Sequence, residues 1–114
     1  MADCIFCKII NKEINSSIVF ENENIIGFND INPVAPIHVL FVPKKHIDRL
    51  YHAESEDISL LGELIFSAKE YATKIGLNES GYRLVINTGK DAGQAVFHLH
   101  LHLIGGRIMS WPPG

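Results

Sequence analysis

The stretch His98-Leu99-His100-Leu101-His102-Leu103, near the C-terminal end, restricts this chain more than any other. Strict polar–apolar alternation is the pattern of a β-strand, whose successive side chains point to opposite faces. It predicts a strand over roughly residues 95–104, with three imidazoles on one face and three leucines on the other. Neighbouring imidazoles would stand about 6.5–7 Å apart, given a rise of about 3.3 Å per residue. The leucines need a core behind them. A row of imidazoles suits holding a metal, or handling phosphate and protons near neutral pH. A purely structural row would need a partner for every nitrogen.

The other segments supply a core. The chain has 114 residues, 46% of them hydrophobic, which points to one domain. Residues 5–11 suit a short helix. Ile18 to Glu21 and Ile25 to Asn29 read as a hairpin turning at Asn22-Glu23-Asn24. His38 to Val42 is nearly all apolar, as a buried central strand would be, and Pro43 ends it. A helix is expected over residues 55–75, with Ser55 as N-cap and Gly76 as its stop. Its apolar stripe would be Ile58, Leu61, Ile65, Ala68, Ala72 and Ile75. Tyr82 to Asn87 reads as a strand, and a loop, Thr88 to Gly93, leads to the histidine strand, which Gly105-Gly106 ends. This order indicates an α+β fold with an antiparallel sheet. The tail Trp111-Pro112-Pro113-Gly114 is expected to pack as an extended arm.

Several function classes are disfavoured. The net charge is −3, and the longest basic run is Lys44-Lys45 with His46, so no nucleic-acid partner is expected. No stretch approaches the roughly 20 apolar residues of a membrane span. Met1-Ala2-Asp3-Cys4 lacks the features of a signal peptide. Two cysteines are too few for a disulfide framework. The expectation is a cytoplasmic chain with reduced thiols.

Three same-face histidines in a row are nearly collinear. A tetrahedral ion about 2.0–2.1 Å from each nitrogen suits two neighbours better than three. Cys4-x-x-Cys7 lets two thiolates converge on one ion, and His46 and His98 are candidates to complete the set. A redox pair is the alternative, but its βαβ context is missing. In phosphoryl chemistry a neutral imidazole attacks phosphorus while a neighbour orients its other nitrogen. A second histidine binds a phosphate oxygen or passes a proton to the leaving group. The loop at Gly89 to Gly93 offers backbone N–H groups to oxyanions. Asp30 follows a strand and suits either ribose hydroxyls or an ordinary turn before Pro33.

The run His98 to Ile104 resembles the defining pattern of the histidine-triad (HIT) proteins, three histidines each followed by an apolar residue. The similarity extends over almost the whole chain. Ile5 to Ile10 resembles the family's opening helix, Phe28 to Pro33 its nucleoside-binding segment, and His38 to Ile47 its central strand and following turn. Gly93-Gln94 precedes the triad as in the family, and Trp111-Pro112-Pro113-Gly114 is similar to the Hint branch, the histidine-triad nucleotide-binding proteins.

This resemblance implies a single HIT-like domain over residues 1–114, with a five-stranded antiparallel sheet, one long helix and one short one. Residues 1–12 would be a helical, zinc-binding N-terminus and residues 105–114 a C-terminal arm. It implies a homodimer whose sheet continues across the interface, and an AMP- or GMP-type purine nucleotide in a groove on each protomer. It implies hydrolysis of purine nucleoside 5′-phosphoramidates through a nucleotidyl-histidine. By position His100 is the nucleophile, His102 a phosphate contact and His38 the family's additional active-site histidine. Asn87, Gly93 and Gln94 match residues around the phosphate. Ile5, Phe6, Ile9, Phe28, Asp30, Ile31 and Leu40 match the base and ribose pocket. Cys4, Cys7, His46 and His98 match the ligands of a structural zinc; no organic cofactor is implied.

Ala95 departs from the pattern, because many relatives carry Ser or Thr there. A missing hydroxyl removes a donor beside the phosphate, so turnover would be slower or lean more on His102. That leaves open a nucleotide-binding scaffold or regulatory module with little catalysis. A redox or metal-handling protein built on Cys4 and Cys7 is a third class.

Overall fold

The protein is described here by a computed structural model covering residues 4–114. Met1, Ala2 and Asp3, the start of the expected zinc-binding segment, lie outside the described residues. The elements are α1 (Ile5–Ile10), β1 (Ile18–Glu21), β2 (Ile25–Asn29), β3 (Ile37–Pro43), α2 (Ile58–Lys74), β4 (Tyr82–Val85) and β5 (Leu101–Gly105). The strands form one sheet in the order β1-β2-β3-β5-β4, and every neighbouring pair is antiparallel. The α+β class, the five strands and the long and short helices all match the expectation.

Side-chain alternation sorts the core into two layers. Val39 and Phe41 of β3 join Ile25, Leu99, Leu101 and Leu103 beneath Leu64, Ala68 and Ala72 of α2. Leu40 and Val42 face the other way, where Ile26 and Phe28 meet Phe6 and Ile9 of α1. Burial on both faces explains why β3 is nearly all apolar. The hairpin turn is held by Asn22, whose Oδ1 accepts from the backbone N–H of Asn24 at 3.0 Å and of Ile25 at 2.9 Å. No helix among the described residues is long and apolar enough to cross a membrane.

Five expectations are corrected. The regular part of the histidine strand begins only at Leu101, not near residue 95. Its ladder with β3 stops at Phe41 opposite Leu101, and two residues further along β3 stands Pro43, which has no N–H to give. The Pro43 carbonyl is taken by the His98 ring at 2.8 Å, and Leu99 N–H donates instead to Ile47 O at 2.7 Å. The alternation of faces nonetheless persists through residues 98–100, since Leu99 sits in the α2-side core. β4 ends at Val85, two residues short of Asn87.

Ser55 is not the cap of α2, because Ser55–Asp57 forms a 3-10 turn of its own. The buried Asp57 does the anchoring: its carboxylate accepts from Glu54 N–H at 2.9 Å and from Lys45 Nζ at 2.6 Å. The helix is also turned from the expected stripe. Leu64, Ser67, Ala68 and Ala72 are buried, whereas Ile58 and Ile65 remain 69% and 49% exposed. Gly76 ends the helix at φ +84, as a stop in the left-handed region requires. Finally, the C-terminal tail is exposed rather than packed: Trp111 is 81% exposed, and Arg83 Nη2 donates to Ser110 O, just before it, at 3.0 Å.

Gly27 of β2 lies against the aromatic pair Phe20 and Phe41. A Cβ there would stand 2.9 Å from Phe41 Cε1 and 3.2 Å from Phe20 Cβ. Gly27→Ala should cost roughly 1–3 kcal/mol. The expected sign is a lower urea midpoint at unchanged slope; an unmoved midpoint would show that the Phe41 ring gives way freely.

Candidate active site and metal centre

Cys4 caps α1, its Sγ accepting from Cys7 N–H at 3.3 Å, so the short helix sets both sulfurs side by side. His46 follows β3 and His98 precedes β5. Cys4 Sγ lies 3.3 Å and Cys7 Sγ 3.6 Å from His98 Nδ1. Cys7 Sγ is 3.3 Å from His46 Nδ1, and the two Nδ1 atoms are 3.1 Å apart. A tetrahedron built from zinc–nitrogen and zinc–sulfur bonds has edges of about 3.3–3.8 Å, so the four donors are close to a zinc cage. The tautomer fits too. His98 Nε2–H donates to Pro43 O, which leaves the Nδ1 lone pair facing the sulfurs. Burial pushes His98 down to about 4, so the ring is neutral at pH 7. Burial and the adjacent Cys4 push the Cys7 thiol up to about 11, so a bound cation must displace its proton.

The next same-face ring is tied by its own strand. His100 Nδ1–H donates to His98 O at 2.7 Å, leaving Nε2 with the free lone pair. Burial lowers its pKa. His102 is ordered from behind. Val34 N–H donates to His38 Nδ1 at 3.1 Å, so the proton of His38 is on Nε2 and is given to His102 Nδ1 at 2.9 Å. His102 therefore carries its own proton on Nε2. Burial lowers His38, opposed by nearby Asp30, and burial pushes His102 down to about 4. The rings of His100 and His102 are 5.0 Å apart, closer than an ideal strand predicts. Phe6 sets its edge against both His98 and His100, with centroids at 6.0 and 5.1 Å.

Asp30, His38 and His102 also come within metal-binding reach of one another. The tautomers oppose that use, because the N–H of His38 Nε2 points where a cation would need a lone pair. Asp30 Oδ2, 3.4 Å from that nitrogen, favours the same tautomer.

The two free-facing rings open onto a groove of about 490 Å³. Of the site residues expected from sequence, Ile5, Phe6, Ile9, Phe28, Asp30, Ile31, Leu40, Ala95, His100 and His102 line it. His38 stands behind His102, and Asn87 and Gly93 are not in the lining. Gln94 is buried and spends its amide on backbone, accepting from Gly89 N–H at 2.9 Å and donating to Asp48 O and Val96 O. It shapes the Gly89–Gly93 loop rather than facing the groove. Ile14, Asn15, Ser16, Asn29, Asn32 and Val96 also line the groove and were not singled out from sequence. Their only signal is adjacency in the chain to residues that were. A larger cavity, about 670 Å³, is lined by Ser80, Tyr82, Arg83 and Arg107 and by none of the histidines or cysteines.

Acidity should unfold this arrangement. His98 and His102 titrate near 6.5 when unfolded and near 4 when folded. The unfolded chain therefore binds more protons between those values, and stability present above about 6.5 declines as pH falls toward 4. Thermal melts in chelator should show a falling Tm from pH 7 to pH 5; a flat Tm would mean that these rings are protonated in the fold.

A profile of the HIT domain matches residues 11–109. An uncharacterized HIT-like protein of Synechocystis sp. is 53% identical over 112 residues, covering 98% of this chain and 97% of its own. A 14 kDa zinc-binding protein of Brassica juncea is 48% identical, covering 98% and 100%. The crystal structure of a HIT family hydrolase from Legionella pneumophila superposes with a TM-score of 0.96 at 50% identity, over 98% of this chain and 100% of that one. A histidine triad nucleotide-binding protein from Candida albicans superposes with a TM-score of 0.82 at 34% identity, over 96% and 83%. With its fold, its alternating histidines and relatives that align end to end, the chain belongs to the HIT family.

Proposed function

We propose that this protein is a nucleotidyl hydrolase of the Hint type, acting on purine nucleoside 5′-phosphoramidates. One observation carries the reading: His100 is held neutral with its Nδ1 proton on His98 O, so its Nε2 lone pair is presented to the groove. That is the state a nitrogen nucleophile needs. The groove's size and lining support a nucleotide. Ile5, Phe6, Ile9 and Phe28 offer apolar walls to a base, and Asp30 a carboxylate to ribose hydroxyls. The name of the Candida relative points the same way.

In the first step the Nε2 lone pair of His100 bonds to phosphorus. The phosphorus–nitrogen bond breaks toward the amine, which takes a proton from solvent. Water then attacks phosphorus, the bond to Nε2 breaks, and nucleoside monophosphate leaves. His102 Nε2–H donates to a phosphate oxygen throughout. Ala95 lines the groove without a hydroxyl, which favours a second reading, a nucleotide-binding module with weak turnover.

Adenosine 5′-phosphoramidate should release AMP, and His100→Ala should lower the rate by at least roughly 10³-fold. Ala95→Ser should raise kcat by adding a donor. AMP release that survives in His100→Ala would remove the nucleophile assignment. Tight AMP binding without release would favour the second reading.

We also propose that Cys4, Cys7, His46 and His98 hold one structural zinc. The donor distances and tautomers support it, as does the name of the Brassica relative. Zinc there would link α1 to the sheet. With thiols kept reduced, the cytoplasm is the fitting compartment. A homodimer is proposed from the unpartnered outer edge of β4 and the uncovered Ile58, Phe66, Ile108 and Trp111. Native mass spectrometry should report two chains with two zinc ions, and Cys7→Ser should lose the metal. A metal-free monomer would overturn both proposals.

A further inference from the structure

The segment after β5 reaches back to the active-site histidines along a path that the reaction itself does not require. Arg107 Nε donates to Val34 O at 2.9 Å, and its Nη1 donates to Ile108 O at 3.2 Å. On the other side of the same residue, Val34 N–H donates to His38 Nδ1 at 3.1 Å. His38 Nε2–H then donates to His102 Nδ1 at 2.9 Å. Three hydrogen bonds thus connect a surface guanidinium to the ring that faces the groove.

The loop carrying Val34 is closed at its base, where Asp30 N–H donates to His38 O at 3.0 Å, and has few restraints beyond that. Residues 30–36 lie between β2 and β3 and have no regular structure. Asn32 N–H closes a turn on Asp30 Oδ1 at 2.8 Å, and Pro33 and Pro36 supply no donors. Gly106, at φ +89, lets the chain pass close over Pro36: a Cβ there would stand 3.0 Å from Pro36 Cβ. The Gly106-Arg107 pair therefore grips the loop at two points, by contact at Pro36 and by hydrogen bond at Val34.

We infer that Arg107 is a positioning residue for His102, acting through Val34 and His38 to fix which nitrogen of each ring carries the proton. A neutral imidazole has two tautomers of similar energy, and a single directed donor or acceptor selects one. Val34 N–H selects the Nε2–H form of His38, because it requires a lone pair on Nδ1. His38 in turn requires a lone pair on His102 Nδ1, so the His102 proton is on Nε2, toward the groove. Asp30 Oδ2, 3.4 Å from His38 Nε2, supports the first of these choices. The chain of bonds moves no proton; it aims one. Without Arg107 the Val34 amide loses its anchor, and His38 and His102 are free to invert together. His102 would then offer a lone pair where a phosphate oxygen needs a donor.

The inference rests on the proposed reaction only for its effect on rate; the tautomers are properties of the free protein. Imidazole nitrogen-15 NMR at neutral pH, without nucleotide, reads them directly. In the native chain His38 and His102 should each show a pyridine-like Nδ1 and a pyrrole-like Nε2. Arg107→Ala should turn both into tautomer mixtures, and Arg107→Lys, which keeps one donor, should lie between. AMP release should fall roughly tenfold in Arg107→Ala, the low end of what outer-shell orientation of an imidazole is worth at metal sites. Added guanidinium should restore part of it. A protonated Nδ1 on His38 in the native chain overturns the inference with no variant needed. So do unmixed tautomers in Arg107→Ala. Failure of the native chain to release AMP would sink the proposed reaction and leave the tautomer result standing.

Discussion

A histidine with no surface exposed to water is tolerable only if both of its nitrogens are matched, and His98 is such a residue. Its Nε2–H is spent on Pro43, its Nδ1 faces two sulfurs and a second imidazole, and its backbone carbonyl takes the proton of His100. One residue thereby joins the end of β3, the start of the chain and the groove-facing ring. The short helix α1 is committed through the same point. Cys4 and Cys7 flank Phe6, whose ring packs on His98 and His100, and Ile5 and Ile9 line the groove. A helix of six residues does not persist by its own propensity. The groove wall it provides depends on Phe6, Ile9 and the cysteine–histidine cluster.

The site works by directed neutrality rather than by charge. Burial depresses His38, His98, His100 and His102 alike, so four neighbouring rings coexist without mutual repulsion. Each ring then has one donor and one acceptor to place. Backbone makes most of the choices: Pro43 O for His98, His98 O for His100 and Val34 N–H for His38. Only His102 takes its orientation from another side chain. A small domain can build this from one extended segment because successive same-face residues bring their own carbonyls with them.

Much of this was legible from residue order, for a physical reason. A period of two survives even where a ladder does not, so the leucines and histidines of residues 98–103 separate correctly although β5 starts at Leu101. Strand extent failed there because it depends on Pro43, a residue more than fifty positions away. The stripe of α2 failed because amphipathic periodicity does not say which edge of a wide apolar face meets the sheet, and packing chose Leu64 over Ile65. Residue types at the site were readable from alternation and from Cys4-x-x-Cys7. Which nitrogen carries a proton was not, since that is decided by the Val34 N–H and the Pro43 and His98 carbonyls, backbone groups that almost any residue type supplies. Asn15 and Ser16 likewise reach the groove through a loop whose path has no sequence signature.

Ala95 and Arg107 bear on the same question from opposite sides. In the proposed reaction, a hydroxyl at position 95 would have given the phosphate a donor whose direction rotates freely to suit it. Alanine leaves that work to backbone N–H groups and to His102, a ring that cannot rotate its proton from one nitrogen to the other. A donor of fixed direction is useful only if the proton is on the correct atom, and preorganised donors are worth most when they need no rearrangement as charge develops. The fewer the donors, the more each one's orientation matters. In this chain the absence of a hydroxyl at Ala95 therefore raises the weight carried by the bonds from Arg107 through Val34 and His38.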